Sequence, residues 1–137
     1  MPENSRNLVQ QEVLKELKLV LQNLEEKYRT CDPAMFKDII HRDAIYTFTD
    51  GRFVGLDQIL KAFGDTWDQI KEEVYTIKDI KWLVANQNFA LCVYTFEWSG
   101  KIDKKPSSGM GNATNVLVRD DNNNWKFIHE HLSKINY

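Results

Sequence analysis

The sequence predicts an α+β fold in which helices lie on one face of an antiparallel sheet, and three observations carry that reading. The first 30 residues hold an apolar stripe at helical spacing, and from Val74 onward the period shifts to that of strands. Near the C-terminus, two runs rich in β-branched and aromatic residues, 114–118 and 125–129, flank the polar turn Arg119-Asp120-Asp121-Asn122-Asn123-Asn124 and read as a long hairpin.

The elements follow in order. Residues 5 to about 29 form the first helix, with Ser5 as its N-cap. Val13, Leu14, Leu17, Val20, Leu21, Leu24 and Tyr28 make its apolar stripe, and Glu and Lys residues cover the opposite face. Asp32 caps and Pro33 opens a second helix, expected to run to about His41 with Met35, Phe36, Ile39 and Ile40 inward. Residues 44–49 are a short strand, Asp50-Gly51 a turn and 52–55 the return. A third helix runs from Leu56 to about Ile70 or Glu72, burying Leu56, Ile59, Leu60, Phe63, Trp67 and Ile70. Strands are then expected over 74–84 and 89–98. The Gly-, Ser- and Pro-containing stretch 100–111 reads as a turn or flexible loop before the final hairpin.

Composition narrows the class. With 137 residues, 42% apolar and 28% charged, the chain is expected to fold as one globular domain over 1–137. A formal charge of −2 gives no basic surplus for nucleic acid, and no apolar run reaches the roughly 20 residues that span a bilayer. Residues 1–6 lack the basic-then-apolar order of a secretory signal. Cys31 and Cys92 stand far apart with no metal-binding spacing, so two free thiols in a reducing cytoplasm are expected.

Asp43-Ala44 before the first strand, Gly55-Leu56-Asp57 opening the third helix and Trp67 near its end carry a resemblance. To these is added Trp125-x-x-x-His129-x-His131-x-Ser133 after an Arg-Asp turn. Over roughly residues 8–133 the chain resembles the nuclear transport factor 2-like superfamily, within it the SnoaL-like group. It is also similar to the association domain of calcium/calmodulin-dependent protein kinase II and to ketosteroid isomerase-like proteins. The resemblance implies a cone: a curved, mainly antiparallel, cystatin-like sheet wrapped around three N-terminal helices. It also implies a homodimer. The outer-face residues Leu91, Val93 and Thr95, with Thr114, Val116 and Val118, agree, since an apolar sheet face needs cover.

The family's known chemistry does not carry over residue by residue. Counting from Asp32 and Asp43, the isomerase base falls on Phe48, its tyrosine on Leu24 and its second acid on Asn115. A phenyl ring cannot accept a proton. The hub domain's charged, carboxylate-binding positions fall on Ile59, Phe96, Asn115 and Leu132, all uncharged here. What remains is an aromatic set, Tyr46, Phe48, Phe63, Trp67, Tyr94 and Phe96, with Asn115. It is either plain core or the lining of an apolar pocket for a hydrophobic small molecule. No cofactor is expected, and His129 with His131 lacks a third metal ligand.

His129 and His131 share one face of the last strand and Glu130 takes the other. If the histidines point inward they join the pocket. If Glu130 does, it becomes a general-base candidate with Asn115 as oxyanion donor, and an isomerase, lyase or cyclase is the alternative to a binder or a hub-like assembly module. A one-residue bulge exchanges the two readings.

Overall fold

The computed structural model describes residues 8–135. The expected cap Ser5 lies outside them. The first helix, α1, is Gln11–Thr30, entered from an extended Gln10 and closed by Cys31 in the left-handed conformation. Val13, Leu17, Leu21, Leu24 and Tyr28 form its buried face, and Leu14 and Val20 pack at its margin. This is the stripe that the spacing predicts.

The second predicted helix is a correction. Asp32 caps as expected, its carboxylate accepting from the Ala34 amide at 3.0 Å, and Pro33 follows at the first position. Only one 3-10 turn forms, Pro33–Phe36, before β1 begins at Ile40. Pairing with the last strand competes successfully for this backbone: the Phe127 amide donates to Ile39 O at 2.8 Å, and Lys126 donates to Asp38 O. Among the described residues there are therefore two helices and a 3-10 turn rather than three helices.

β1 (Ile40–Phe48) and β2 (Gly51–Val54) form the short hairpin, and α2 (Leu56–Gln69) follows. Then come β3 (Lys71–Ala85), β4 (Phe89–Ile102), β5 (Lys105–Arg119) and β6 (Trp125–Lys134). The sheet order is β2-β1-β6-β5-β4-β3; β1 and β6 run parallel and every other pair antiparallel. Both helices lie on the concave face, where Ile59, Phe63 and Trp67 of α2 join the stripe of α1 in one core. No helix among the described residues is long and apolar enough to cross a membrane.

The expected loop over 100–111 is also a correction. β4 and β5 continue through it, in register from Trp98–Gly109 to Ile102–Lys105, and turn on Asp103-Lys104, both with positive φ. The small residues that suggested a loop make room for rings. A Cβ at Gly109 would strike the Trp98 indole, and one at Gly111 would strike Ser133 O and the Phe96 ring. The β5–β6 turn behaves as read: Asp120 Oδ1 accepts from the amides of Asn122 and Asn124 at 2.9 Å. Arg119 ties this end to α1 through Glu16 at 2.9 Å and stacks 4.2 Å over Trp125.

On the convex face, strand register aligns Val84, Leu91, Val116, His129, Ile45 and Val54 in one row across all six strands. Leu91, Val93, Thr95, Thr114, Val116 and Val118 are half-buried there. Cys31 and Cys92 are both free thiols.

Candidate functional site

The site is created by one irregularity in β6. Trp125 and Phe127 face the core, and strict alternation would send His129 and His131 after them. Register with β5 instead jumps from Leu117–Phe127 to Val116–His129, leaving Ile128 as an extra residue. Beyond this bulge the faces are exchanged. Glu130 turns inward and is 1% exposed, whereas His129 and His131 turn outward. His129 Nδ1 lies 2.6 Å from Ile45 O on the convex side, and His131 is exposed. The histidines are thereby removed from the expected pocket, a correction with a local geometric cause.

Glu130 pairs in register with Asn115 on one side and Tyr46 on the other. Its Oε1 accepts from Tyr94 Oη at 3.4 Å and from Tyr28 Oη at 3.5 Å. Its Oε2 has no hydrogen-bond partner among the described residues. The fully buried Asn115 amide faces the same carboxyl, close enough to favour its charged form but outside hydrogen-bonding geometry. Burial dominates these contacts and pushes the Glu130 carboxyl up to about 8, against the opposing pull of the Tyr94 hydroxyl, the nearby Asn115 amide and the Tyr28 hydroxyl. The phenols of Tyr28, Tyr46 and Tyr94 are raised too, first by burial and then by neighbouring groups that include Glu130.

Glu130 lines a cavity of about 380 Å³ between the concave sheet and α2, a size suited to a small ligand. Of the aromatic set read from sequence, Phe48, Phe63, Trp67 and Phe96 line it. Tyr46, Tyr94 and Asn115 are buried but not among its lining residues; Tyr94 and Asn115 lie against Glu130. Sequence reasoning missed Tyr28, Glu73 and Tyr75, which also line it. Glu73 is 8% exposed, and its Oε1 accepts from the Trp67 indole N–H at 2.9 Å. Burial raises its pKa, opposed by that hydrogen bond. The signal was available: once β3 starts at Lys71, Glu73 and Tyr75 alternate onto the inward face. Tyr75 stacks between Tyr28 at 4.2 Å and Phe96 at 5.4 Å.

Residues 17–137 match the SnoaL-like domain. The chain belongs to that family. Among solved structures, a nuclear transport factor 2-like superfamily protein from Salmonella enterica serovar Typhimurium LT2 superposes with a TM-score of 0.84 at 16% identity, covering 92% of this chain and 93% of that one. A candidate calcium/calmodulin-dependent protein kinase II association domain from Xanthomonas campestris gives 0.76 at 16% identity, covering 88% and 86%. A candidate scytalone dehydratase from Novosphingobium aromaticivorans gives 0.77 at 14% identity, covering 90% and 86%. These likenesses establish the nuclear transport factor 2-like, cystatin-like fold. No curated protein matches the sequence.

A buried acid in this SnoaL-like domain has a thermodynamic signature. The folded chain favours neutral Glu130, so its pKa rises on folding from an ordinary value near 4.5 to about 8. The folded state then binds more protons than the unfolded state between those values, and stability falls as pH rises. The contribution is complete below about 4.5 and lost by about 8, with a slope of at most about 1.4 kcal/mol per pH unit. The melting temperature of the wild type is expected to drop from pH 5 to pH 8 more steeply than that of Glu130→Gln, whose amide does not titrate. Parallel slopes would show that Glu130 titrates alike in both states.

Proposed function

We propose that this chain binds a small, ring-bearing, largely apolar molecule in the cavity and that Glu130 exchanges a proton with it. One observation carries the reading: a carboxyl that is 1% exposed forms part of the cavity wall, with one oxygen held by two tyrosines and the other unpaired. Leaving a buried polar atom without a partner costs about 1–3 kcal/mol, which a ligand donor or acceptor at Oε2 would recover.

A carboxyl pushed up to about 8 is populated in both forms near neutral pH, as an acid–base group requires. Isomerisation needs no co-reactant: the carboxylate takes a proton from one ligand carbon and the resulting acid returns it to another. In water elimination, the acid's proton leaves with the departing hydroxyl and the carboxylate recovers one from the adjacent carbon. The fold shared with a candidate scytalone dehydratase is compatible with such chemistry. The family resemblance puts the isomerase base at Phe48 on β1, which cannot take a proton; Glu130, on the neighbouring strand β6, would carry it instead.

Binding without turnover is the second reading, and the same observation supports it, because a neutral Glu130 can simply donate a hydrogen bond. A thermal-shift screen against hydrophobic and polyketide-like ring compounds, followed by turnover assays on the hits, separates the two. Stabilisation is expected in the wild type and to be lost in Trp67→Ala. Under the acid–base reading, Glu130→Gln retains binding but loses turnover about 100-fold or more. Binding with no turnover in either protein would leave the binder alone. A flat response across the library would count against both.

We propose further that two copies pair through the convex face. The row crossing all six strands, apolar at every strand but β6, and the half-buried strip on β4 and β5 support this. Sedimentation velocity should show a dimer for the wild type and a monomer for Val116→Lys. A wild type that is monomeric at tens of micromolar would refute the pairing.

A further inference from the structure

The cavity's charge is as distinctive as its shape. Seven of its lining side chains are aromatic, among them Trp67, Tyr75, Phe96 and Trp98. Among the described residues its acidic lining residues are Asp50, Glu73 and Glu130, and its only basic one is Lys134, which is exposed. No arginine or histidine among the described residues lines it, so none of them offers the forked donors that fit a carboxylate or phosphate.

Glu73 differs from Glu130 in what its carboxyl already has. Among the described residues it takes a single side-chain hydrogen bond, from the Trp67 indole. A carboxylate this enclosed is costly unless a positive partner joins it. Aromatic faces attract cations through the same negative potential that repels anions, and Trp is the strongest of them. Rings and acids thus select for one charge type.

We propose that the ligand is an organic cation, an amine or quaternary ammonium carried on a ring, with its nitrogen beside Glu73 among the aromatic side chains and its apolar body toward Glu130. This rests on the reading of the cavity as a ligand site and names the chemical class it takes. Glu73 is then the residue that determines specificity, while Glu130 meets the proton-exchanging group on the body of the ligand. The unpaired Oε2 of Glu130 marks that end as built to meet a further group. Binding of a cation favours the charged form of Glu73, whose own burial favours the neutral one, so affinity is expected to rise with pH. Glu130 acts in the same sense; of the other charged groups lining the cavity, Asp50 attracts a cation and Lys134 repels it. Lys71 donates to Trp67 O at 3.2 Å and so lies near the same wall.

Three probes of similar shape test it by calorimetry on the full chain at pH 8: 2-phenylethyltrimethylammonium, 2-phenylethanol and 3-phenylpropionate. The ammonium is expected to bind at least about tenfold tighter than the alcohol, the carboxylate more weakly than either, and the ammonium tighter at pH 8 than at pH 6. Glu73→Gln keeps an acceptor for the Trp67 indole and should erase the preference for the ammonium over the alcohol. An alcohol or carboxylate that binds as well as the ammonium would overturn the cation assignment while leaving the cavity a ligand site. If none of the three binds, both readings fail. A preference that survives in Glu73→Gln would remove Glu73 from the assignment.

Discussion

The candidate site depends on the extra residue at Ile128. Without it, β6 would carry its alternation unbroken from Phe127, placing two histidines inside the cone and Glu130 outside. With it, the only fully buried acid among the described residues meets Tyr28, Tyr94 and Asn115, and His129 is left to bond the β1 backbone on the outer side. The parallel pairing of β1 and β6 also shifts register, between Ile40 and Ile45, so the irregularity is shared by two neighbouring strands. A bulge at this point alters the chemistry of the interior while leaving the hydrophobic pattern on either side intact.

The inward-facing glutamate is an expensive feature, because desolvation opposes its charge and one oxygen has no partner. Around it the core is otherwise apolar and tightly ringed. Phe36 sits 4.8 Å from Phe63 and 5.0 Å from Tyr28, and Tyr28 stacks on Tyr75. A domain that sought only stability would place leucine at position 130. An acid there, with a second enclosed acid on β3 lining the same cavity, is the physical basis for proposing a function for the cavity rather than treating its rings as core.

Most of the fold could be read from sequence because long periodic segments dominate it. The stripe of α1 and the change of period at Val74 locate the helix and the sheet, and the Asp-Asn turn locates the final hairpin. The failures are those of competing local signals. Asp32-Pro33 announces a helix, but Ile39 and Ile40 are taken by β6 after one turn. Gly109 and Gly111 resemble loop residues because nothing in the sequence shows the rings of Trp98 and Phe96 lying against them. The aromatic set was half legible: residues on the α2 face were found, whereas Tyr28 and Tyr75 were hidden in segments read for their helical and strand periods alone. Glu73 was lost because the α2–β3 boundary was placed too late. The orientation of Glu130 could not be derived at all, since a bulge has no composition of its own.

The most direct test of this account is a carboxyl-carbon NMR titration of Glu130, assigned by comparison with Glu130→Gln. An inward, desolvated Glu130 should titrate near 8, far above its ordinary value near 4.5. A midpoint between about 4 and 5, as for a solvated glutamate, would contradict it.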